Sequence, residues 1–219
     1  MAKVDAARVL KRVVVISVCL LALGGCVPEQ HVPTIVDSHR SGTIIRYRKP
    51  ARALAPVNNR SNAAHGWIPP ARIERKWTAI IVHHSVTSSG NVALFDKYHR
   101  EEKHWDSIGY DFVIGNGKGS GDGQIEVTVR WRKQKTGAHC KTSNNWANER
   151  GIGICLVGDF NNNRPTRKQM ASLIRLTRFM QKRYNIPNNR IYGHKNTPGA
   201  GVTDCPGKRF PMGRFKAML

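Results

Sequence analysis

Apolar residues come in short, separate runs over the last two-thirds of the chain, each bounded by glycine, asparagine or a polar cluster. Trp77 to His84 reads Trp-Thr-Ala-Ile-Ile-Val-His-His, a brief, β-branched, mostly apolar run that predicts a buried strand. Asn91 to Trp105 sets Leu94, Phe95, Tyr98 and Glu102 at helical spacing. Gly109 to Ile114 predicts a second strand, and after a glycine-rich turn over 115–123 the alternation from Gln124 to Trp131 predicts a third. Gly151 to Gly158 predicts a fourth, buried on both faces. Thr166 opens the clearest helix, because Gln169 three positions on completes a capping box. Met170, Leu173, Ile174, Thr177, Met180 and Tyr184 trace its buried stripe, and Asn185 and Pro187 stop it. Arg190 to Gly193 is a short last strand running into His194. Strands interleaved with helices predict an α/β fold in a single domain over residues 66–219.

Upstream the pattern changes. Lys3, Arg8, Lys11 and Arg12 form a basic segment before an apolar run from Val13 to Leu23, too short to span a bilayer and typical of a secretory leader. The next residues, Leu23-Gly24-Gly25-Cys26, resemble the bacterial lipobox. That resemblance implies a leader over 1–25, cleavage before Cys26 and a diacylglycerol on its thiol. Val27 follows, with no Asp to act as an inner-membrane retention signal, so an anchor in the outer membrane facing the periplasm is expected. From residue 26 to about 65 no period of 2.0 or 3.6 is sustained. Pro28, Pro33, Pro50 and Pro56 and a basic run over 46–49 suit a flexible basic linker.

Charge narrows the partners without choosing among them. Thirty-six Lys and Arg against 14 Asp and Glu give +22. Removing residues 1–25 takes away four basic residues and one acidic residue and leaves +19. Such a chain attracts anionic polymers and membranes. No zinc-finger, helix-turn-helix or RNA-binding motif accompanies the charge, so nucleic acid is not an expected partner. Cys19 leaves with the leader and Cys26 takes lipid; Cys140, Cys155 and Cys205 remain, an odd number that argues against a full disulfide framework.

His83 and His194 each close an apolar strand, and Cys205 follows eleven residues after His194. Two imidazoles and a thiolate, with a fourth position for water, are the ligand set of a catalytic zinc site. By itself such a triple is weak, since nine His are present to choose from. Its setting is more specific. Trp77-x-x-Ile-Ile-Val-His-His-Ser, Trp105-Asp-Ser-Ile-Gly-Tyr-Asp-Phe, Gly137-Ala-His, Asn148-Glu-Arg-Gly-Ile-Gly-Ile, Tyr192-Gly-His and Thr203-Asp-Cys-Pro-Gly occur in that order.

These blocks, over about residues 66–210, closely resemble the zinc-dependent N-acetylmuramoyl-L-alanine amidases of the phage-lysozyme and peptidoglycan-recognition-protein type. The resemblance implies a central mixed β-sheet flanked by helices, a zinc-centred groove, and a monomer that cleaves the bond between N-acetylmuramic acid and L-alanine in peptidoglycan. It implies His83, His194 and Cys205 as zinc ligands, Tyr110 as the catalytic tyrosine and Thr203 where relatives carry Lys or Thr. His139 and Asn148 fall in blocks that line the groove and are expected to position substrate. His84 competes with His83 for the metal; strand alternation sends adjacent side chains to opposite faces, which favours His83 and leaves His84 with the substrate-positioning group. Some bacterial relatives carry a proton-handling Glu in the fourth strand, where this chain has Cys155. Non-catalytic binding modules of the same fold typically lose the Cys ligand, which this chain retains.

Overall fold

The computed structural model describes residues 66–219; the leader, Cys26 and the linker lie outside the described residues. The five strands are β1 (Ala79–His84), β2 (Phe112–Ile114), β3 (Ile125–Val127), β4 (Gly151–Leu156) and β5 (Ile191–Gly193). They form one mixed sheet in the order β3-β2-β4-β1-β5. β1 pairs in parallel with β4 and β5, β2 pairs in parallel with β4, and only β3 runs antiparallel, against β2. The helices are α1 (Val92–Glu101), α2 (Val129–Arg132), α3 (Trp146–Arg150), α4 (Arg167–Tyr184) and α5 (Met212–Ala217).

Side-chain alternation along β1 and β4 divides the sheet into two unlike faces. Ile80, Val82, Ile152, Ile154 and Leu156 join Leu173, Leu176 and Met180 of α4 and Phe215 of α5 in the main core. On the other face Ala79 and Ile81 pack with Cys140 and Ala147. Phe95 of α1 meets Ile108, Val113 and Val157 nearby. The sheet is therefore sandwiched, with α4 and α5 behind it and α1 and long loops in front.

α4 forms as its pattern predicts. Thr166 Oγ1 accepts from Gln169 N at 3.0 Å and Gln169 Oε1 accepts from Thr166 N at 3.1 Å. Its end is set by Asn185 in the left-handed region (φ 53°), whose N–H reaches Gln181 O. Leu176 belongs to the buried stripe as well.

Elsewhere local chemistry overrides the apparent period. The third strand ends at Val127 rather than Trp131, because Thr128 caps a short helix by accepting from Trp131 N. The first helix stops at Glu101 rather than Trp105; His104 takes φ 55° and Trp105 N turns back to His99 O. Its buried side is Phe95 and His99, whereas Leu94 and Tyr98 are exposed. α3 and α5 lack a run long enough to show a period in the sequence.

Candidate metal centre

β1 delivers His83 to the front face and His84 to the back. In register, His83 lies beside Cys155 of β4, and β5 ends one residue before His194, two strands' width of hydrogen bonding having aligned the three carboxyl ends. The segment after His194 is closed by its own backbone: Lys195 N donates to Cys205 O at 2.8 Å, and Thr197 Oγ1 donates to Gly193 O at 3.2 Å. That closure returns Cys205 to His194. One ligand atom each from His83, His194 and Cys205 lies within 4.8 Å of the other two.

The donor set fits a tetrahedral ion. With zinc–nitrogen near 2.0–2.1 Å and zinc–sulfur near 2.3 Å, a tetrahedral N···S edge is about 3.6 Å. His83 Nδ1 stands 3.5 Å from Cys205 Sγ. Two imidazole nitrogens and one sulfur, partly buried, are also the donor types zinc prefers.

Burial dominates the electrostatics. It holds His83 neutral, with its pKa well below the ordinary value, and neighbouring His139 and His194 add to the effect. Burial likewise lowers His194 and takes His139 down to about 3. The Cys205 thiol is pushed up to about 12, partly offset by the backbone N–H of His84. An ion taking this thiolate must therefore displace a proton, which couples metal uptake to pH.

Tyr110 faces the cluster, its ring centroid 5.3 Å from that of His83. Burial raises its pKa well above 10, with Cys155 and Cys205 adding to the shift, so the phenol keeps its proton. Cys155 sits beside it, buried, its thiol pushed well above the usual range by desolvation. Thr203 lies at the lip of the cluster, where its Oγ1 accepts from Cys205 N at 3.2 Å. Asp111 ties β2 to β4: its N donates to Gly153 O at 2.9 Å and its Oδ2 accepts from Gly153 N at 2.8 Å.

The three residues expected to position substrate, His84, His139 and Asn148, are all buried. His84 is buried on the back face, its Nδ1 accepting from Phe160 N at 3.0 Å and its ring against Phe160. The pleat that presents His83 is what carries His84 away. Asn148 is buried beneath the front loop, where its Oδ1 accepts from both His139 N and Cys140 N at 2.9 and 2.8 Å. His139 is buried directly behind His83 rather than on an open wall. Asp111, an acidic residue beside a tyrosine, carries no spacing signal in the sequence that would mark this role. Cys140, Cys155 and Cys205 are all free thiols, and no helix among the described residues is long and apolar enough to cross a membrane.

The family description "N-acetylmuramoyl-L-alanine amidase" matches residues 73–208, more than half of the chain. Among solved structures, the N-acetylmuramoyl-L-alanine amidase LysC from Clostridium intestinale is 31% identical, with a TM-score of 0.56 over 69% of this chain and 90% of that one. Among curated proteins, peptidoglycan-recognition protein 1 of Holotrichia diomphalia is 34% identical over 99 residues, 42% of this chain and 45% of its own length. The N-acetylmuramoyl-L-alanine amidase of Sus scrofa is 26% identical over 121 residues, 54% of this chain and 18% of its own length. The chain thus spans about half the length, or less, of these curated relatives. The mixed sheet, its flanking helices and the match over residues 73–208 identify the chain as a member of the N-acetylmuramoyl-L-alanine amidase family.

Proposed function

We propose that the domain is a zinc-dependent N-acetylmuramoyl-L-alanine amidase that hydrolyses the amide between N-acetylmuramic acid and L-alanine in peptidoglycan. The observation that carries this reading is the convergence of His83, His194 and Cys205 within 4.8 Å at one sheet edge. Those three residues would hold the ion, which supplies Lewis-acid polarisation of the scissile carbonyl and a bound water with a pKa near 7. The chain's own part is to place donors where negative charge develops. Tyr110, protonated throughout the neutral range, donates to the oxygen of the tetrahedral intermediate. Thr203 uses a lone pair on Cys205 N–H and keeps its own O–H to donate. Cys155 is a neutral buried thiol and handles no proton.

A second reading, a peptidoglycan-binding module without catalysis, draws on the recognition proteins among the relatives. The thiol of Cys205 beside His83 favours catalysis over it. We further infer that residues 1–25 are a lipoprotein leader, that Cys26 carries lipid, and that residues 26–65 tether the domain to the outer membrane facing the periplasm. Digesting purified sacculi with the mature protein, with and without chelator, tests the main reading by mass analysis. Free stem peptides and intact glycan strands, lost with chelator, are expected; binding without release would establish the module instead.

A further inference from the structure

Two glycine-containing segments, Gly137-Ala138-His139 and Gly151-Ile152-Gly153, converge on one imidazole. His139 Nδ1 stands 3.1 Å from His83 Nε2, and His139 Nε2 stands 3.2 Å from the Gly151 carbonyl oxygen. The ring occupies space that side chains would otherwise fill. A Cβ on Gly153 would lie 2.5 Å from His139 Cδ2, and one on Gly137 would lie 2.6 Å from the same atom. Asn148 Oδ1 pins the backbone on either side of the ring by accepting from His139 N and Cys140 N.

The proton positions along this chain of contacts follow from its far end. A carbonyl oxygen only accepts, so the nitrogen facing Gly151 carries the hydrogen. In a neutral ring the opposite nitrogen, Nδ1, then has a lone pair, and His83 Nε2 must be the donor that meets it. His83 Nδ1 is left without a proton, and that is the nitrogen facing Cys205 Sγ.

Resting on the reading of the cluster as a metal site, we propose that His139 is a positioning residue. Anchored on the Gly151 carbonyl, it holds His83 in the tautomer whose Nδ1 lone pair is presented to the metal. Partners of this kind behind a ligating histidine fix its orientation and raise its basicity.

The metal-free wild-type protein gives the first test, by long-range ¹H–¹⁵N correlation of the imidazole nitrogens. His83 and His139 should each show a protonated Nε2 and an unprotonated Nδ1; a protonated Nδ1 on either ring overturns the proposal. Zinc affinity by competition with a chromophoric chelator gives the second. His139→Leu should weaken zinc binding about 10–100-fold, the usual range for losing such a partner. His139→Asn, which keeps an acceptor near the Nδ1 position, should recover most of the loss. His139→Gln, which reaches toward Gly151 but offers nothing at Nδ1, should not. Wild-type affinity in the Leu variant, or equal loss in all three, overturns the role. A raised KM with unchanged zinc affinity would return His139 to substrate positioning. A wild-type protein that takes up no zinc sinks the metal reading, while the tautomers still judge the relay.

Discussion

Asp111 offers a measurable consequence of building a site on buried strands. Its carboxyl is fully enclosed; Oδ2 accepts from Gly153 N, and Oδ1 has no partner. Burial raises its pKa to about 7, against the opposing pull of the Gly153 N–H and of Arg130 and Arg75. In the unfolded chain the same group titrates near 3.9. A folded pKa above the unfolded one means that the folded protein holds the extra proton between these values. Stability from the neutral carboxyl is then fully present below about pH 4 and is lost as pH rises through 7. Three units at about 1.36 kcal/mol each give about 4 kcal/mol lost across that window.

Asp111→Asn removes the titration while keeping an oxygen for Gly153 N–H. Urea unfolding of both proteins in chelator at closely spaced pH values isolates the effect, because every other titrating group is shared and cancels in the difference. Wild-type stability minus variant stability should fall by about 4 kcal/mol between pH 4 and 8, with the steepest part between them near 1.4 kcal/mol per unit. A constant offset between the proteins, independent of pH, would refute the buried neutral carboxyl.

Other consequences are more direct. Cys205→Ser should lose zinc and activity while its thermal transition persists, since a hydroxyl is a far poorer zinc ligand than a thiolate; one zinc per chain with near-normal turnover would sink the assignment. His84→Ala should keep the metal and lose stability, because its ring serves Phe160 behind the sheet, whereas His83→Ala should lose the metal by elemental analysis. Tyr110→Phe should retain zinc and lower kcat by roughly 10²–10³-fold, the usual loss for one donor to a developing oxyanion; unchanged kcat would remove Tyr110 from the chemistry. Sacculus binding should weaken as salt shortens the Debye length from about 10 Å at 0.1 M to about 3 Å at 1 M, with cleavage of a small soluble muropeptide changing much less; parallel decline of both would place the charge effect in the site or the fold.

How legible each part was depended on how locally it is encoded. α4 was readable in detail because its cap, stripe and stop all lie within the segment itself. The sheet was readable as runs, since β1 and β4 are buried on both faces and are apolar apart from His83 and His84 at the end of β1. The shortened third strand was not, because Thr128 fits the alternation and the cap equally well until Trp131 N is seen to bond it. At the site, residue types that ligate metal stand out, and a resemblance ordered them. The places of His139 and Asn148 could not be read, because burial depends on contacts between segments distant in the chain. A histidine behind a ligand and a histidine on a groove wall have the same neighbours in sequence. The glycines at 137 and 153 were the available signal: two residues without side chains, in the blocks that meet at one ring.

The same burial explains how a site with so few charges can serve the proposed chemistry. On the zinc reading, two neutral imidazoles and one thiolate leave a divalent ion with a net charge of +1. Beside His83 in the sheet stands Cys155 of β4, held as a neutral thiol by its surroundings. Asp111, immediately before β2, is held toward its neutral form by the same enclosure. Below about pH 7, therefore, no carboxylate in these positions opposes the positive charge, and a low-dielectric interior strengthens its attraction for a tetrahedral oxyanion. The Cys155 thiol keeps its proton in this range as well. Tyr110 must then serve as a donor that never ionises, which is the state its burial imposes.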